Sequence, residues 1–353
     1  MARLGLPSIE IIFKELGTSA IERGENGIVA MVLEDAEATT PQVTEIYSAL
    51  DIQEDVDVKH KELILSCLKG SVSGINKLIV VVAQDTIKGV KELMNYDFNY
   101  LVTPYIEGED CGEVVTVVDA LREDAKMVKY VVANHKADKP YVINFTTKGI
   151  KVGGEEIPTK EFTSRISGIV ASMPLSMSVT YQQLPEVENV EALTKSAIDE
   201  KIGDGELVLM NDGRKVKIAR GVTSVTTTGV ATPESFKKIK VLAIADLIKS
   251  DITRTLQDSY IGKYPCDYDH KCLLISAINS YLQTLEREML LDKGSKCEID
   301  IDAQKLYLSG KGINTSSMTV DQIAMANTGD KVFLKIDAKI LDVIEDVKIE
   351  ITI

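Results

Sequence analysis

The sequence predicts a mixed chain: a doubly wound, flavodoxin-like α/β domain followed by an α+β C-terminal domain. Three observations predict it. Short β-branched apolar runs alternate with helical patterns from about Gly27 to Ala171. A tight-turn signal, Asn211-Asp212-Gly213, sits between two apolar runs. Beyond Cys297 the chain turns to period-2 apolar alternation that reaches its last residue. A length of 353 residues allows two or three ordinary domains. With 44% hydrophobic and 27% charged residues, the composition fits neither a disordered chain nor a membrane one. No stretch approaches the roughly 18 uncharged apolar residues of a membrane span.

The elements follow in order. Ser8 to Phe13 is a short extended start. GIVAMVL (27–33), KLIVVVA (77–83), FNYLVTPY (98–105) and KPYVINF (139–145) have almost no polar alternation, as strands covered on both faces do. Between them, Val114, Val117, Val118, Leu121, Ala125, Val128 and Val132 form one helical stripe. From Thr159 to Tyr181 a small-residue helix runs into a Pro-interrupted, Ser/Met/Thr-rich segment. Gly205 to Ala219 reads as a hairpin, because Asp-Gly supplies the positive φ a tight turn requires. RGVTSVTTTG (220–229) follows as an exposed polar strand or loop. Two helical runs cover about Ser235–Tyr260 and Lys271–Leu291. A short helix is expected from Thr319 to Asn327, then two alternating strands. In the first, Val332, Leu334, Ile336, Ala338 and Ile340 share a face; in the second, Val347, Ile349, Ile351 and Ile353 do. An apolar strand at a chain end calls for a partner. That partner is either the same domain, by folding back, or another subunit's sheet.

Chemistry is sparse. A net charge of −14, with no basic cluster interleaved with aromatics, argues against nucleic acid as a partner. Glu25, Glu34, Asp35, Glu37, Glu45, Asp51, Glu54, Asp55 and Asp57 form an acidic flank, read as a solvated face or as a surface for a basic neighbour. The five cysteines show no CxxC pair and are expected as reduced thiols. Cys266, His270 and Cys272 stand within seven residues, but structural zinc takes a closer knuckle and a second pair. Asp267 or Asp269 is better read as the cap of the helix that follows. No G-x-S-x-G elbow surrounds Ser167, Ser172, Ser176 or Ser178, and Gly149, Gly153 and Gly154 lack phosphate-loop spacing. No catalytic, cofactor or metal residue is therefore assigned. The N-terminus lacks a secretory signal pattern, so synthesis and residence in the cytoplasm are expected.

Four blocks together resemble one known family: LGLPSIEIIFKE, SRISGIVASMPLSMSVTY, DGELVLMNDGRKVKIARGVTSVTTTG and DLIKSDITRTLQDSYIGKYPCDYDHKCLLISAINSYLQTLE. They are similar to contractile tail sheath proteins of phages and phage-derived particles such as R-type bacteriocins. The length is nearest to the compact sheaths of Gram-positive phages and tail-like bacteriocins. The resemblance implies a structural, non-enzymatic subunit that polymerises as stacked, commonly hexameric rings around an inner tube. It implies contraction from a metastable extended state that drives the tube through a cell envelope. Extended arms would donate strands to neighbouring C-terminal domains: Gly5, Leu6, Pro7, Ser8, Ile9, Glu10, Ile11, Ile12 and Phe13 at one end, and Val347, Lys348, Ile349, Glu350, Ile351, Thr352 and Ile353 at the other.

The implied division is an N-terminal arm (1–18), an outer α/β domain (19–230), a C-terminal α+β core domain (231–345) and a C-terminal arm (346–353). The tube contact the family places on the C-terminal domain falls here on Thr319, Asp321, Gln322, Met325 and Asn327. Implied partners are further copies of the chain, the inner tube protein, and baseplate and tail terminator proteins, with no nucleic acid and no membrane insertion. The particle would be a phage or phage-tail-like assembly released by lysis. The competing reading is a cytosolic α/β enzyme binding a small ligand at the sheet edge. It would need a convergent titratable constellation, and the sequence offers none with suitable spacing.

Overall fold

The computed structural model describes residues 20, 21, 23–230 and 232–352. The chain divides into two compact units. The larger comprises residues 23–253, 287–292 and 339–352, and the smaller is built mainly from 254–286 and 293–338. The cuts fall inside one long helix and near the end of the next.

In the larger unit the elements run β1 (Ile28–Glu34), β2 (Gln42–Ile46), α1 (Val58–Leu68), β3 (Lys77–Ala83), α2 (Thr86–Glu92), β4 (Tyr100–Val102), α3 (Cys111–Glu123), β5 (Lys129–Ala133) and β6 (Val142–Phe145). There follow β7 (Ile150–Val152), β8 (Glu155–Ile157), α4 (Thr159–Ser172), β9 (Val187–Asn189), α5 (Lys195–Gly203), β10 (Glu206–Leu207), β11 (Leu209–Asn211), β12 (Val216–Ile218) and α6 (Ile239–Thr255). A seven-stranded sheet has the order β10-β6-β5-β4-β1-β3-β2 and is parallel except at β2.

Both faces of this sheet are covered, as continuous apolar runs require. Strand β1 shows the division. Val29, Met31 and Leu33 pack with Leu63, Ile64 and Cys67 of α1 and Phe162, Ile166 and Ile169 of α4. Ala30 and Val32 pack with Val90 of α2 and Val114, Val118 and Leu121 of α3. Helices α1 and α4 approach closely at Gly168, where a Cβ would stand 2.0 Å from the Cys67 carbonyl oxygen. Three charged groups meet between helix and sheet. Asp246 of α6 receives Arg122 on both carboxylate oxygens, at 2.7 and 3.0 Å, and Lys129 at 3.2 Å. Burial pushes the Lys129 ammonium below its ordinary value despite Asp246.

Two sequence expectations are corrected here, and one strand is added. The helical stripe ends at Glu123: Ala125 takes a left-handed φ of 64°, and Val128 and Val132 belong to β5 and the strand leading into it. Residues four apart share a face in both helix and strand, so the stripe continued in phase across the break. Strand β2, an exposed edge with polar residues, has too few apolar positions to signal itself. The segment 221–225 is buried rather than exposed. The Ser224 hydroxyl donates to Lys139 O, and Thr223 donates to Phe236 O, which satisfies their polar groups in the interior. The expected hairpin forms as β11 and β12, while Glu206 and Leu207 join the main sheet instead.

The smaller unit contains α7 (Tyr268–Arg287, whose last residue falls across the cut), β13 (Lys296–Ile299), α8 (Ile301–Gly310), α9 (Val320–Met325) and β14 (Leu334–Asp337). The CEIDID run is half strand and half helix start, because Asp300 caps α8 by accepting Ala303 N at 2.9 Å. Strands β13 and β14 pair antiparallel as a two-stranded ribbon, with Cys297 opposite Ile336 and Ile299 opposite Leu334.

Candidate functional site

The C-terminal segment of the larger unit is anchored and then released. Leu341 N donates to Leu290 O at 2.9 Å and Asp292 N to Lys339 O at 2.8 Å, so residues 339–341 are tied to 290–292. Lys240 Nζ donates to Leu341 O at 2.6 Å. Beyond that point side chains take over. Lys238 pairs with Asp342 and, at 2.9 Å, with Glu345. Arg220 reaches Glu345 at 3.2 Å and Asp346 at 2.5 Å. The Thr180 hydroxyl donates to Glu345 Oε1 at 2.6 Å, and Ser178 does so at 3.3 Å.

Glu345 is therefore the centre of a clamp, and its side chain is 7% exposed. Burial acts to raise its carboxyl, but Thr180, Lys238 and Arg220 carry the balance below the ordinary value of 4.5. Hydrogen bonding to Asp346 and Glu345 holds the Arg220 guanidinium above its usual range. Lys238 is likewise raised, Asp342 and Glu345 outweighing the effect of burial.

Past the clamp the chain is open. Val347, Ile349 and Ile351 are 69%, 76% and 78% exposed, and residues 342–352 belong to no strand ladder. The strand expected over Val347–Ile353 has no partner within the described chain. Its alternation is intact, but nothing among the described residues covers it. Ile353 and the N-terminal arm, Gly5 to Phe13, lie outside the described residues.

The smaller unit holds the ribbon of β13 and β14. An isolated two-stranded ribbon is marginal in water. Its apolar face carries Cys297, Ile299, Leu334 and Ile336, with Cys297 buried and Ile336 37% exposed. Asn279 of α7 grips β13 from the side, its Oδ1 accepting Cys297 N at 2.6 Å and its Nδ2 donating to Cys297 O at 3.1 Å.

The candidate tube-contact residues Thr319, Asp321, Gln322, Met325 and Asn327 are all exposed, on or beside α9. Thr319 and Gln322 form a reciprocal capping box, and Asn327 Oδ1 accepts Gly329 N at 2.8 Å. Val320 and Met325 are the large apolar groups that α9 exposes. Asp267 caps α7 by accepting His270 N at 2.8 Å, with the imidazole Nδ1 at 2.6 Å from the same oxygen. In the acidic flank, Asp57 caps α1 and Asp51 completes the capping box of a 3-10 turn at 49–51. Glu34 accepts Thr86 N at 3.0 Å, and Glu45 pairs with Lys77 at 3.1 Å. Much of that flank thus serves the fold itself.

Comparison with known proteins places this arrangement. A family model for the phage tail sheath protein central domain matches residues 80–224, and one for the phage tail sheath C-terminal domain matches residues 231–353. Over 356 residues the chain is 38% identical to the tail sheath protein of a Clostridium phage, phiCD119, covering 98% of this chain and 99% of that one. The chain belongs to the phage tail sheath family. Among solved structures, the sheath tail protein of Desulfitobacterium hafniense aligns with a TM-score of 0.68 at 16% identity, covering 83% of this chain and 94% of that one. The helical sheath of the anti-feeding prophage in its contracted state aligns at 0.70 and 13% identity, covering 99% of each chain. The protein is a structural sheath subunit, a component of a phage or phage-tail-like particle.

The clamp escaped sequence reading. Arg220 and Glu345 are separated by 125 residues, and nothing in either neighbourhood marks them as a pair. The alternation of Val347, Ile349 and Ile351 was the only legible part of the site.

Proposed function

We propose that this sheath subunit polymerises as stacked hexameric rings around an inner tube, linked by strands that its terminal arms donate to neighbouring subunits. The observation that carries this reading is the C-terminal segment, clamped through Asp346 and then exposed with its apolar alternation uncovered. A chain leaves such a strand open when a partner is to pair with it. Main-chain bonds of an added strand hold over a range of rigid-body orientations of the parent domain. Linked subunits can therefore swing while the mesh stays connected, which permits shortening without dissociation.

On this reading contraction releases free energy stored at assembly, from a metastable extended state held on the tube and baseplate. No nucleotide or catalytic residue is involved, and the subunit is not an enzyme. Partners are the tube protein, met through the face of α9 that carries Asp321 and Met325, together with baseplate and terminator proteins. Synthesis is cytoplasmic, and the particle leaves the cell by lysis. The order β3-β1-β4-β5-β6 with helices on both faces supports a flavodoxin-like, doubly wound origin for the large sheet. The division into an outer domain (19–230), a core domain (231–345) and arms (1–18 and 346–353) is kept as the functional one, with the arms as the linking parts.

The test is negative-stain electron microscopy of the purified chain at rising concentration, beside a truncation lacking 347–353. Tubes are expected from the full chain, and a folded protein without tubes from the truncation. Tubes of normal length from the truncation would sink the arm-linked reading.

A further inference from the structure

A cavity of about 280 Å³ opens at the start of three adjacent strands of the large sheet. Gly27 stands just before β1, Asn76 just before β3, and Tyr100 is the first residue of β4; all three line it. Its other wall is the end of α4, Val170 to Ser172, with the 173–175 segment that follows. The close approach of chain to helix needs Gly27: its φ is 81°, and a Cβ would stand 3.0 Å from the Ala171 carbonyl oxygen. A smaller recess of about 20 Å³, room for about one water, shares Tyr100, Val170 and Met173 and reaches Ile239 and Ala243 of α6. These spaces lie at the amino ends of the strands, opposite to the end at which open α/β sheets usually bind ligands.

Two unmet hydrogen-bonding needs share this wall. Tyr100 is 4% exposed, and its hydroxyl makes no hydrogen bond among the described residues. It is not one of the fully enclosed polar atoms that lack a partner, so it opens on the cavity that its residue lines. Burial pushes the phenol above its ordinary value, which leaves a donor without an acceptor at neutral pH. The second need is at the end of α4. Pro174 has no N–H, so the Val170 carbonyl lacks its usual donor four residues on, and the Ala171 carbonyl receives none from Leu175. The side chains of Val170, Ala171, Met173 and Leu175 make the surroundings apolar. The two charged residues that line these spaces are already engaged, Arg23 by Glu288 and Lys240 by the Leu341 carbonyl. The Ser172 hydroxyl is likewise taken up by Gly168 O and Ser71.

We propose that this cavity binds a neutral secondary amide carrying a compact branched apolar group, its carbonyl accepting the Tyr100 hydroxyl and its N–H donating to the end of α4. A charged ligand would find no free counter-charge in the wall, and the carbonyl end of a helix opposes an anion. A ligand with an acceptor alone would leave the α4 carbonyls unmet. The chemistry is that of one leucine-like residue, which a small amide or a segment of another chain could supply. Neither the strand linkage nor the α9 contact is involved, so the site stands apart from the sheath reading.

The probe is N-acetyl-leucine N-methylamide, titrated into the purified full chain and followed by ligand-observed NMR and by melting temperature. A ligand of this size is expected to bind with a dissociation constant on the order of 1 mM and to raise the melting temperature. N-acetyl-leucine, an anion, and leucine N-methylamide, a cation, are expected to bind about tenfold more weakly. Tyr100→Phe separates a ligand-binding hydroxyl from a structural one. Removing a buried hydroxyl that has no partner should leave the melting temperature of the free chain unchanged or higher, while binding of the amide weakens about fivefold. No saturable binding of the amide, equal binding of the charged analogues, or undiminished binding after Tyr100→Phe overturns the site. A lower melting temperature after Tyr100→Phe overturns the reading of the hydroxyl as unmet. The same titration on assembled polymer distinguishes the two sources: undiminished binding identifies a small amide as the ligand, and lost binding identifies a segment of a neighbouring chain.

Discussion

Glu345 ties five side-chain groups into one knot: its own carboxylate, Thr180, Ser178, Lys238 and Arg220. Charge-assisted hydrogen bonds of this kind contribute about 1.5–3 kcal/mol, so Glu345→Ala should release the root of the arm while the sheet domain stays folded. Hydrogen exchange at 341–346 is the check: faster exchange confined to that stretch is expected. The pH dependence has a definite sign. The folded-state pKa lies below the ordinary 4.5, so the carboxylate's stabilisation is complete above 4.5 and is lost as pH falls through the folded value. Protection of 341–346 should fade on acidification below 4.5 and be unaffected between pH 6 and 8. Asp246 gives a second prediction. Its removal strands Arg122 and Lys129, whose side chains are 15% and 6% exposed. Asp246→Ala should cost roughly 3–5 kcal/mol in chemical denaturation, more than any exposed ion pair. Neither knot was legible in the sequence, since each joins residues more than a hundred positions apart.

At the scale of elements, Gly168 is where the fold is least forgiving. A Cβ there would stand 2.0 Å from the Cys67 carbonyl, a backbone atom that no rotamer change can move. Gly168→Ala should force α1 and α4 apart, at a cost of about 1–3 kcal/mol, visible as a lower melting temperature. The core strands were legible because burial on both faces leaves an unmistakable apolar run, as in KLIVVVA. Strand β5 was not, because Val128 and Val132 kept phase with the helix before them and Ala125 is no evident breaker. Helix α8 was hidden by Asp300, which ends an alternating run and caps a helix in the same step. The last strand was legible as a pattern, but no local signal in VKIEITI tells pairing within the chain from pairing with another.

For the whole molecule, the proposed linkage draws on both compact units. The larger holds an arm fastened through Asp346 and bare beyond it, and the smaller a ribbon of two strands with one edge closed by Asn279. On the proposed strand exchange, a sheath is cross-linked by main-chain hydrogen bonds, and its connectivity depends little on salt. Tubes formed by the unaltered chain should persist when ionic strength is raised well past the point at which exposed ion pairs are screened. Their dissolution at modest salt would mean that charge, not strand exchange, links the subunits. The most direct measurement is a helical reconstruction of those tubes at a resolution that traces the main chain. The account predicts a third strand on the β13/β14 ribbon, formed by residues 347–352 of another subunit. A ribbon that stays two-stranded in the assembled tube, with the arm lying on its own subunit, would contradict it.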